Sequence, residues 1–435
     1  MNSEDYRSLD RDNVWHPYTH HQQLMGEEFP VIERGEGVYL YDVEGERYFD
    51  AISSWWCTNL GHGHPRLIAA LQQQSEKLQH SILGNQSHPG AIKLAAELVE
   101  LTGGSRRVHF ASDGASAVEA ALKIAVQYWH NRGYEKKKKI AYLSGDYHGD
   151  TLGAVGVGFL PGFHAPYKEI MPRQIALEAP DCSKCFCDKI PANCVAECVA
   201  SAGETLVKNA DRLAAVIVEP LCQAAMGMNI YPPVYLEKLA ALCEEHDILL
   251  IDDEIAMGFG RTGTMWAYQQ AQIRPDIVCA GKALAGGYMP ISAAVVDSRI
   301  YETFKEEDKT FMHGHTFAGH PLACAVALEN IKIYREEQMV DRAKKLGEIL
   351  EKKMKKLDEF EVVEEVAGLG LLGAVYLKQP GGAELAGRIK EYLLAKKILV
   401  RPLGNVVYLM PPFITEENKL SWLVDQLAAA IEKVS

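Results

Sequence analysis

The chain has little positive charge, little cysteine and no long apolar run, and each shortage excludes something. Lysine and arginine number 45 against 58 aspartates and glutamates, a formal charge of −13. A nucleic-acid or anionic-membrane partner needs a basic face, so neither is expected. Ten cysteines in 435 residues are too sparse for a disulfide scaffold, which is short and cysteine-dense. No mostly apolar run reaches the roughly 18 residues of a membrane-spanning helix. The longest uncharged stretches, such as 151–167, are broken by Gly and Pro. The opening Asn2-Ser3-Glu4-Asp5 lacks the apolar segment of a secretory signal, and a cytoplasmic protein is expected. No internal repeat and no low-complexity linker is visible.

What is present is ordinary globular material: 48% hydrophobic and 24% charged residues. At about 150 residues per domain, two or three domains are expected. The middle of the chain alternates short apolar runs with helical patterns. The runs Val108–Ser112, Lys139–Leu143, Ala214–Val218, Ile248–Ile251, Asp276–Ala280 and Ile291–Val296 read as strands. Ala115–His130 and Tyr235–His246 carry apolar residues at helical spacing. Apolar strands separated by helices mark a mainly parallel sheet covered on both faces, hence an α/β fold. The tail differs. Met339–Leu357, Ala383–Lys397 and Glu416–Lys433 read as helices, and Val362–Leu377 and Ile398–Pro412 as strand-like stretches. This α+β pattern suggests a smaller domain, with the hairpin-like run Gly37–Asp42 packing alongside it.

Several strand ends carry reactive groups. Lys282 follows the strand Asp276–Ala280 and precedes Gly286-Gly287. Ligand sites in open α/β sheets lie at the carboxyl ends of strands. A lysine desolvated there would keep a neutral amine able to attack a carbonyl; the bland alternative is a surface lysine. Asp252-Asp253-Glu254 ends another strand, and buried acids need a cation such as a metal or a protonated ring nitrogen; the alternative is a solvated loop. The Gly258-Phe-Gly-Arg-Thr-Gly263 loop after it lacks the spacing of a dinucleotide fingerprint. Ser112-Asp113-Gly114-Ala115-Ser116 lies between a strand and a helix, suiting an anion cradle or a plain helix cap. Tyr147 in Tyr147-His-Gly-Asp-Thr151 would stack on a flat ligand or simply fill core. An amine nucleophile, an acid, a phosphate cradle and a stacking aromatic together describe a pyridoxal 5′-phosphate site.

The stretches Asp253-Glu-Ile-Ala-Met-Gly-Phe-Gly-Arg-Thr-Gly263, Tyr147–Thr151 and Gly281-Lys-Ala-Leu-Ala-Gly-Gly287 resemble the class III pyridoxal phosphate aminotransferases. Within that family, Trp15-His-Pro-Tyr18, Ser53-Ser-Trp55-Trp56, His313-Gly-His-Thr316 and Arg401-Pro-Leu-Gly-Asn-Val-Val-Tyr408-Leu-Met-Pro-Pro412 resemble the 7,8-diaminopelargonic acid aminotransferases of biotin synthesis. The resemblance spans about residues 12 to 430. It implies a fold-type-I architecture and an obligate homodimer with sites at the subunit interface. It also implies a segment 1–60 that joins the small domain, a cofactor-binding domain over 61–325 and a C-terminal small domain over 326–435.

The resemblance further implies roles. Lys282 would bond to the cofactor and later move the proton. Asp253 would pair with the pyridinium nitrogen, and Asp252 stands where the family often has a small apolar residue. Tyr147 would stack on the ring. Ala115 and Ser116 would donate to the phosphate, joined by Thr316 and its neighbour His315 from the partner subunit. Tyr18 and Trp55 would line an apolar channel for 8-amino-7-oxononanoate, with Arg401 on its carboxylate and Tyr408 and Gly314 nearby. The reaction would run in two half-reactions with an amino donor, S-adenosylmethionine or lysine. Many S-adenosylmethionine users carry His-Gly-Pro-Thr, whereas some lysine users carry the His-Gly-His seen at 313–315. A lysine donor would use nearby acids such as Asp252. The rival readings are another class III ω-amine or diamine aminotransferase and a catalytically silent binder.

One motif stays outside this picture. Cys182, Cys185, Cys187, Cys194 and Cys198 form a local cluster with the donor count for Zn²⁺ or iron–sulfur, but its spacing matches no metal motif. A cysteine-tolerant surface insertion is the alternative, and no metal is assigned to the site.

Overall fold

The run Leu213–Val218 has no charged residue, and in the computed structural model it is a strand buried at every position. Its side chains alternate. Ala215 and Ile217 face one core layer with Tyr128 and Trp129, and Val216 and Val218 face the other. A strand apolar on both faces belongs inside a sheet covered on both sides. The structure describes residues 1–22, 29–182, 185 and 194–435.

In chain order the strands are β1 (Ile32–Glu36), β2 (Tyr39–Asp42), β3 (Arg47–Asp50), β4 (Arg106–Ala111), β5 (Lys139–Leu143), β6 (Ile175–Leu177), β7 (Leu213–Val218), β8 (Cys222–Gln223) and β9 (Asn229–Ile230). They continue with β10 (Leu249–Asp253), β11 (Ile277–Ala280), β12 (Ser292–Asp297), β13 (Val363–Gly368), β14 (Gly373–Leu377), β15 (Ile398–Leu399) and β16 (Val406–Leu409). The central sheet has seven strands in the order β4-β12-β11-β10-β7-β5-β6. The strands from β11 through β6 pair in parallel, and β12 runs antiparallel to both neighbours. The carboxyl ends of β4, β5, β7, β10 and β11 therefore meet at one edge.

The other sheets tie the two termini together. The order β1-β2-β3-β15 joins N-terminal strands to a C-terminal one, with Asp50 opposite Leu399 in parallel register. The order β13-β14-β16 makes a second small sheet. The strand-like stretch 362–377 thus resolves into a hairpin, and 398–412 into two strands in different sheets. Gly370, at φ +55°, turns the hairpin where a side chain would strike the backbone of Arg261 and Thr262. The fully buried Arg261 guanidinium bridges the units. It donates to Leu371 O and Pro411 O, each at 2.9 Å, to Asn59 Oδ1 at 2.6 Å and to Ser53 Oγ at 3.2 Å. Among the described residues, no helix is long and apolar enough to cross a membrane.

Candidate active site

A cavity of about 520 Å³ opens at the carboxyl edge of the central sheet. Its walls include Trp56, Gly114, Ala115, Tyr147, His148, Asp150, Glu219, Asp253 and Lys282. They come from the ends of six strands, β3, β4, β5, β7, β10 and β11, or from the segments that follow them.

Lys282 stands two residues beyond β11, at φ +42°. Burial lowers its ammonium below the ordinary lysine value, while Asp253 and Glu219 pull it partly back. Its Nζ lies 5.3 Å from the ring centroid of Trp56. Asp253 ends β10 and is 4% exposed. Its Oδ2 lies 2.7 Å from His148 Nδ1, and its Oδ1 accepts from Ile255 N at 3.1 Å. His148 is buried between Asp253 and Asp146, whose Oδ2 lies 3.6 Å from Nε2. Burial alone would lower the imidazole, but Asp146 and Asp253 outweigh it and hold the value up to about 10. Glu219 closes the far wall and accepts from Tyr147 N at 2.8 Å and Ala224 N at 3.2 Å. Burial and the nearby Asp146 push its carboxyl up to about 8.

Side-chain alternation along β10 separates two adjacent acids. Leu249 and Ile251 share one core layer and Leu250 the other, so Asp252 points away from the face that carries Asp253. Asp252 is fully buried, and burial and Glu254 push its carboxyl well above the ordinary range. The expectation that Asp252 could receive a donor ammonium in the cavity is therefore corrected.

The phosphate-side expectation is partly revised. The helix Gly114–Asn131 begins at the cavity with Asp113 as its cap. Asp113 occupies both groups of Ser116: Oδ1 accepts from its N at 2.9 Å and Oδ2 from its Oγ at 2.8 Å. Ser116 is therefore committed to the cap and does not line the cavity. The amides of Gly114 and Ala115, in the first helical turn, have no intrahelical acceptor and face it instead. Gly149 keeps this corner open. At φ +117°, an added Cβ there would sit 2.4 Å from Ala115 Cβ.

Beyond Tyr147 the cavity leads to an aromatic and charged mouth. Tyr18 Oη lies 2.8 Å from Tyr147 Oη and also donates to Asp150; Tyr147 Oη donates to Asp150 Oδ2 at 2.7 Å. Burial and Asp150 push the Tyr18 phenol up to about 12 and the Tyr147 phenol further. Tyr18 packs edge-on to Trp55 at 5.7 Å. The Arg401 guanidinium lies 4.2 Å from the Trp55 ring centroid. Tyr408, expected in this channel, is fully buried behind it and accepts from Trp56 Nε1 at 3.0 Å.

Gly314, His315 and Thr316 are exposed and do not reach this cavity. They line a second one with His80 and His109. In the cysteine cluster, Cys187 lies outside the described residues. Cys182, Cys185, Cys194 and Cys198 are partly buried, and among the described residues no three side chains are grouped to hold a metal.

Reading the sequence missed Trp56, His148, Asp150 and Glu219 as site residues. Their signals were present: His148 and Asp150 lie inside the Tyr147–Thr151 motif, and Glu219-Pro220 directly follows an apolar strand, much as Asp253 ends one.

The cavity fits a flat, phosphorylated pyridine. It offers a buried carboxylate for a ring nitrogen, free amides at a helix N-terminus and a desolvated lysine. Residues 22–431 match the class III aminotransferase family, and the chain belongs to it. Class III aminotransferases use pyridoxal 5′-phosphate, and the fold is their fold-type-I α/β architecture. An adenosylmethionine-8-amino-7-oxononanoate aminotransferase of Aquifex aeolicus is 37% identical, over 98% of this chain and 96% of its own. The crystal structure of the protein of that name from Methanocaldococcus jannaschii superposes with a TM-score of 0.93 at 34% identity, covering 99% of each chain. An omega transaminase of Pseudomonas jessenii, crystallised with PMP, superposes equally at 0.93 with 30% identity, covering 98% of each chain.

Proposed function

We propose that the protein transaminates 8-amino-7-oxononanoate to 7,8-diaminononanoate, a step of biotin synthesis; the keto acid is the one in the names of the Aquifex and Methanocaldococcus relatives. The observation that carries this reading is Arg401. Among the described residues it forms no ion pair, and it lies on Trp55 beyond the Tyr18–Tyr147 pair. An aliphatic keto acid needs this sequence of groups: an apolar, aromatic approach and a planar cation for its far carboxylate.

The chain's own residues divide the work. Asp253, steadied by the protonated His148, would hold a ring nitrogen in its charged form. The amides of Gly114 and Ala115 would receive the phosphate, and Tyr147 would cover one ring face. Lys282, whose burial favours the neutral amine, would attach the cofactor, then take the proton from the substrate carbon and return it one step later. Bound there, the cofactor supplies the electron sink that makes this carbon–hydrogen bond breakable.

The assembly would be a homodimer. Residues 313–316 lie away from their own cavity, and Met312 and Phe317 beside them are 88% and 57% exposed. A second copy packing there would bring Thr316 of the partner subunit toward the phosphate end.

The experiment is direct. Purified protein is loaded with cofactor and given 8-amino-7-oxononanoate with a panel of amine donors, and 7,8-diaminononanoate is followed by mass spectrometry. Formation of the diamine supports the reading. Transfer to simple ketones, with none to this keto acid, would favour the omega-transaminase reading that the Pseudomonas relative suggests.

A further inference from the structure

The two tryptophans of the cavity mouth sit on a strained turn. Ser53, Ser54 and Trp56 have φ of +52°, +58° and +63°. None of them is glycine, so each holds a backbone conformation that side chains disfavour. Three such residues within four would relax unless something held them.

The holding group is Asp50, the last residue of β3. Its carboxylate is 1% exposed. Oδ2 accepts from Ser54 N at 2.7 Å and lies 2.8 Å from His62 Nε2, while Oδ1 accepts from Ile52 N at 3.2 Å. Hydrogen bonds to a buried charged acceptor are the strong kind. The far side of the turn is tied by Ser53 Oγ to Met410 O at 2.7 Å. Asp50 also opposes Leu399 in the parallel β3–β15 pairing, two residues before Arg401. One carboxylate thus stands where the tryptophan turn and the arginine are brought into register.

We infer that Asp50 is a positioning residue that sets substrate specificity: it holds the 53–56 turn so that Trp55 lies under Arg401 and Trp56 over Lys282. This rests on the proposed function only in taking the keto acid's chain as what the tryptophans receive. Without the clamp the turn relaxes, Trp55 leaves Arg401, and the carboxylate site loses its floor.

The test uses Asp50→Asn, with His62→Gln as a milder second variant, each also built with Trp55→Ala. Without substrate, acrylamide quenching and near-UV circular dichroism report the tryptophans; Asp50→Asn should raise quenching and change the aromatic spectrum. With cofactor loaded, KM for 8-amino-7-oxononanoate should rise about tenfold in Asp50→Asn, and less than about threefold when Trp55 is already alanine. His62→Gln should fall between wild type and Asp50→Asn. Equal KM increases in both backgrounds, or superimposable tryptophan signals, would overturn the inference. If wild type does not use the keto acid, the proposed function fails, and the tryptophan signals alone decide on Asp50.

Discussion

His148 Nδ1 lies 2.7 Å from Asp253 Oδ2, and both groups are buried. The pair joins two motifs, Tyr147–Thr151 and Asp253–Gly263, from opposite sides of β7. It makes Asp253 a held carboxylate rather than a free one.

A pH dependence follows. Burial opposes the charge on His148, yet Asp146 and Asp253 raise it from 6.5 to about 10. The folded state therefore keeps a proton that the unfolded chain releases near 6.5. This stabilisation is full below that value and is lost as pH rises through about 10. We expect urea unfolding of the cofactor-free protein to show stability falling between pH 7 and pH 10, by an amount on the order of 3–5 kcal/mol. His148→Gln should be less stable at pH 7 and flatter across the range. An equally steep decline in the variant would show that other groups carry the effect.

Lys282 is expected to be the residue that carries the cofactor. Borohydride reduction of the loaded protein followed by peptide mass spectrometry should find the added mass on Lys282. Lys282→Ala should lose at least roughly 10²–10⁴-fold in turnover, because attachment and proton transfer use the same amine. Labelling of a different lysine would remove the assignment.

Much of this site was legible because parallel strands write their ends into the sequence. An apolar run that stops at Glu219, at Asp253 or just before Lys282 has nowhere to put that group except the shared edge. The site's supports were not legible. Ser116 reads as a phosphate donor until its hydroxyl is seen on Asp113. Tyr408 reads as a pocket residue until β16 places it behind Trp56. The positive φ values at Ser53, Ser54 and Trp56 leave no compositional trace, because serine and tryptophan are not the residues that usually adopt them. Each of these depends on a partner distant in sequence. The reversal at β12 is hidden similarly, since its apolar run looks like those of its parallel neighbours.

Arg401 should act in one half-reaction more than the other. Arg401→Ala is expected to cost the keto-acid half about 2–5 kcal/mol, because a charged hydrogen bond loses its partner. The donor half should change less. Stopped-flow measurement of each half in isolation separates them, and equal losses would assign Arg401 to both substrates or to the fold.

In the proposed reaction the choice of donor would rest on what the cavity mouth offers a cation. Asp252 is removed from consideration by its burial on the opposite face of β10. Asp150 takes its place: it is exposed at the mouth and accepts from both Tyr18 and Tyr147. A carboxylate held by two phenols but open to solvent can receive either a sulfonium or an ammonium group. In the proposed dimer the 313–316 segment would be the part that discriminates between them. His313 stacks on His109 at 5.7 Å and its Nδ1 lies 3.2 Å from Lys123 Nζ, which leaves His315 exposed to meet a second copy. In the proposed dimer an imidazole at 315 would narrow the donor's path, and on size alone lysine would then pass more readily than S-adenosylmethionine. We expect Asp150→Asn to slow the donor half-reaction roughly tenfold, the cost of weakening one charge-assisted contact, with whichever donor is used. His315→Pro should shift preference toward S-adenosylmethionine. Mixing the loaded enzyme with each donor and following conversion of the cofactor to its aminated form measures both. Conversion by neither donor would count against the biotin-pathway reading itself.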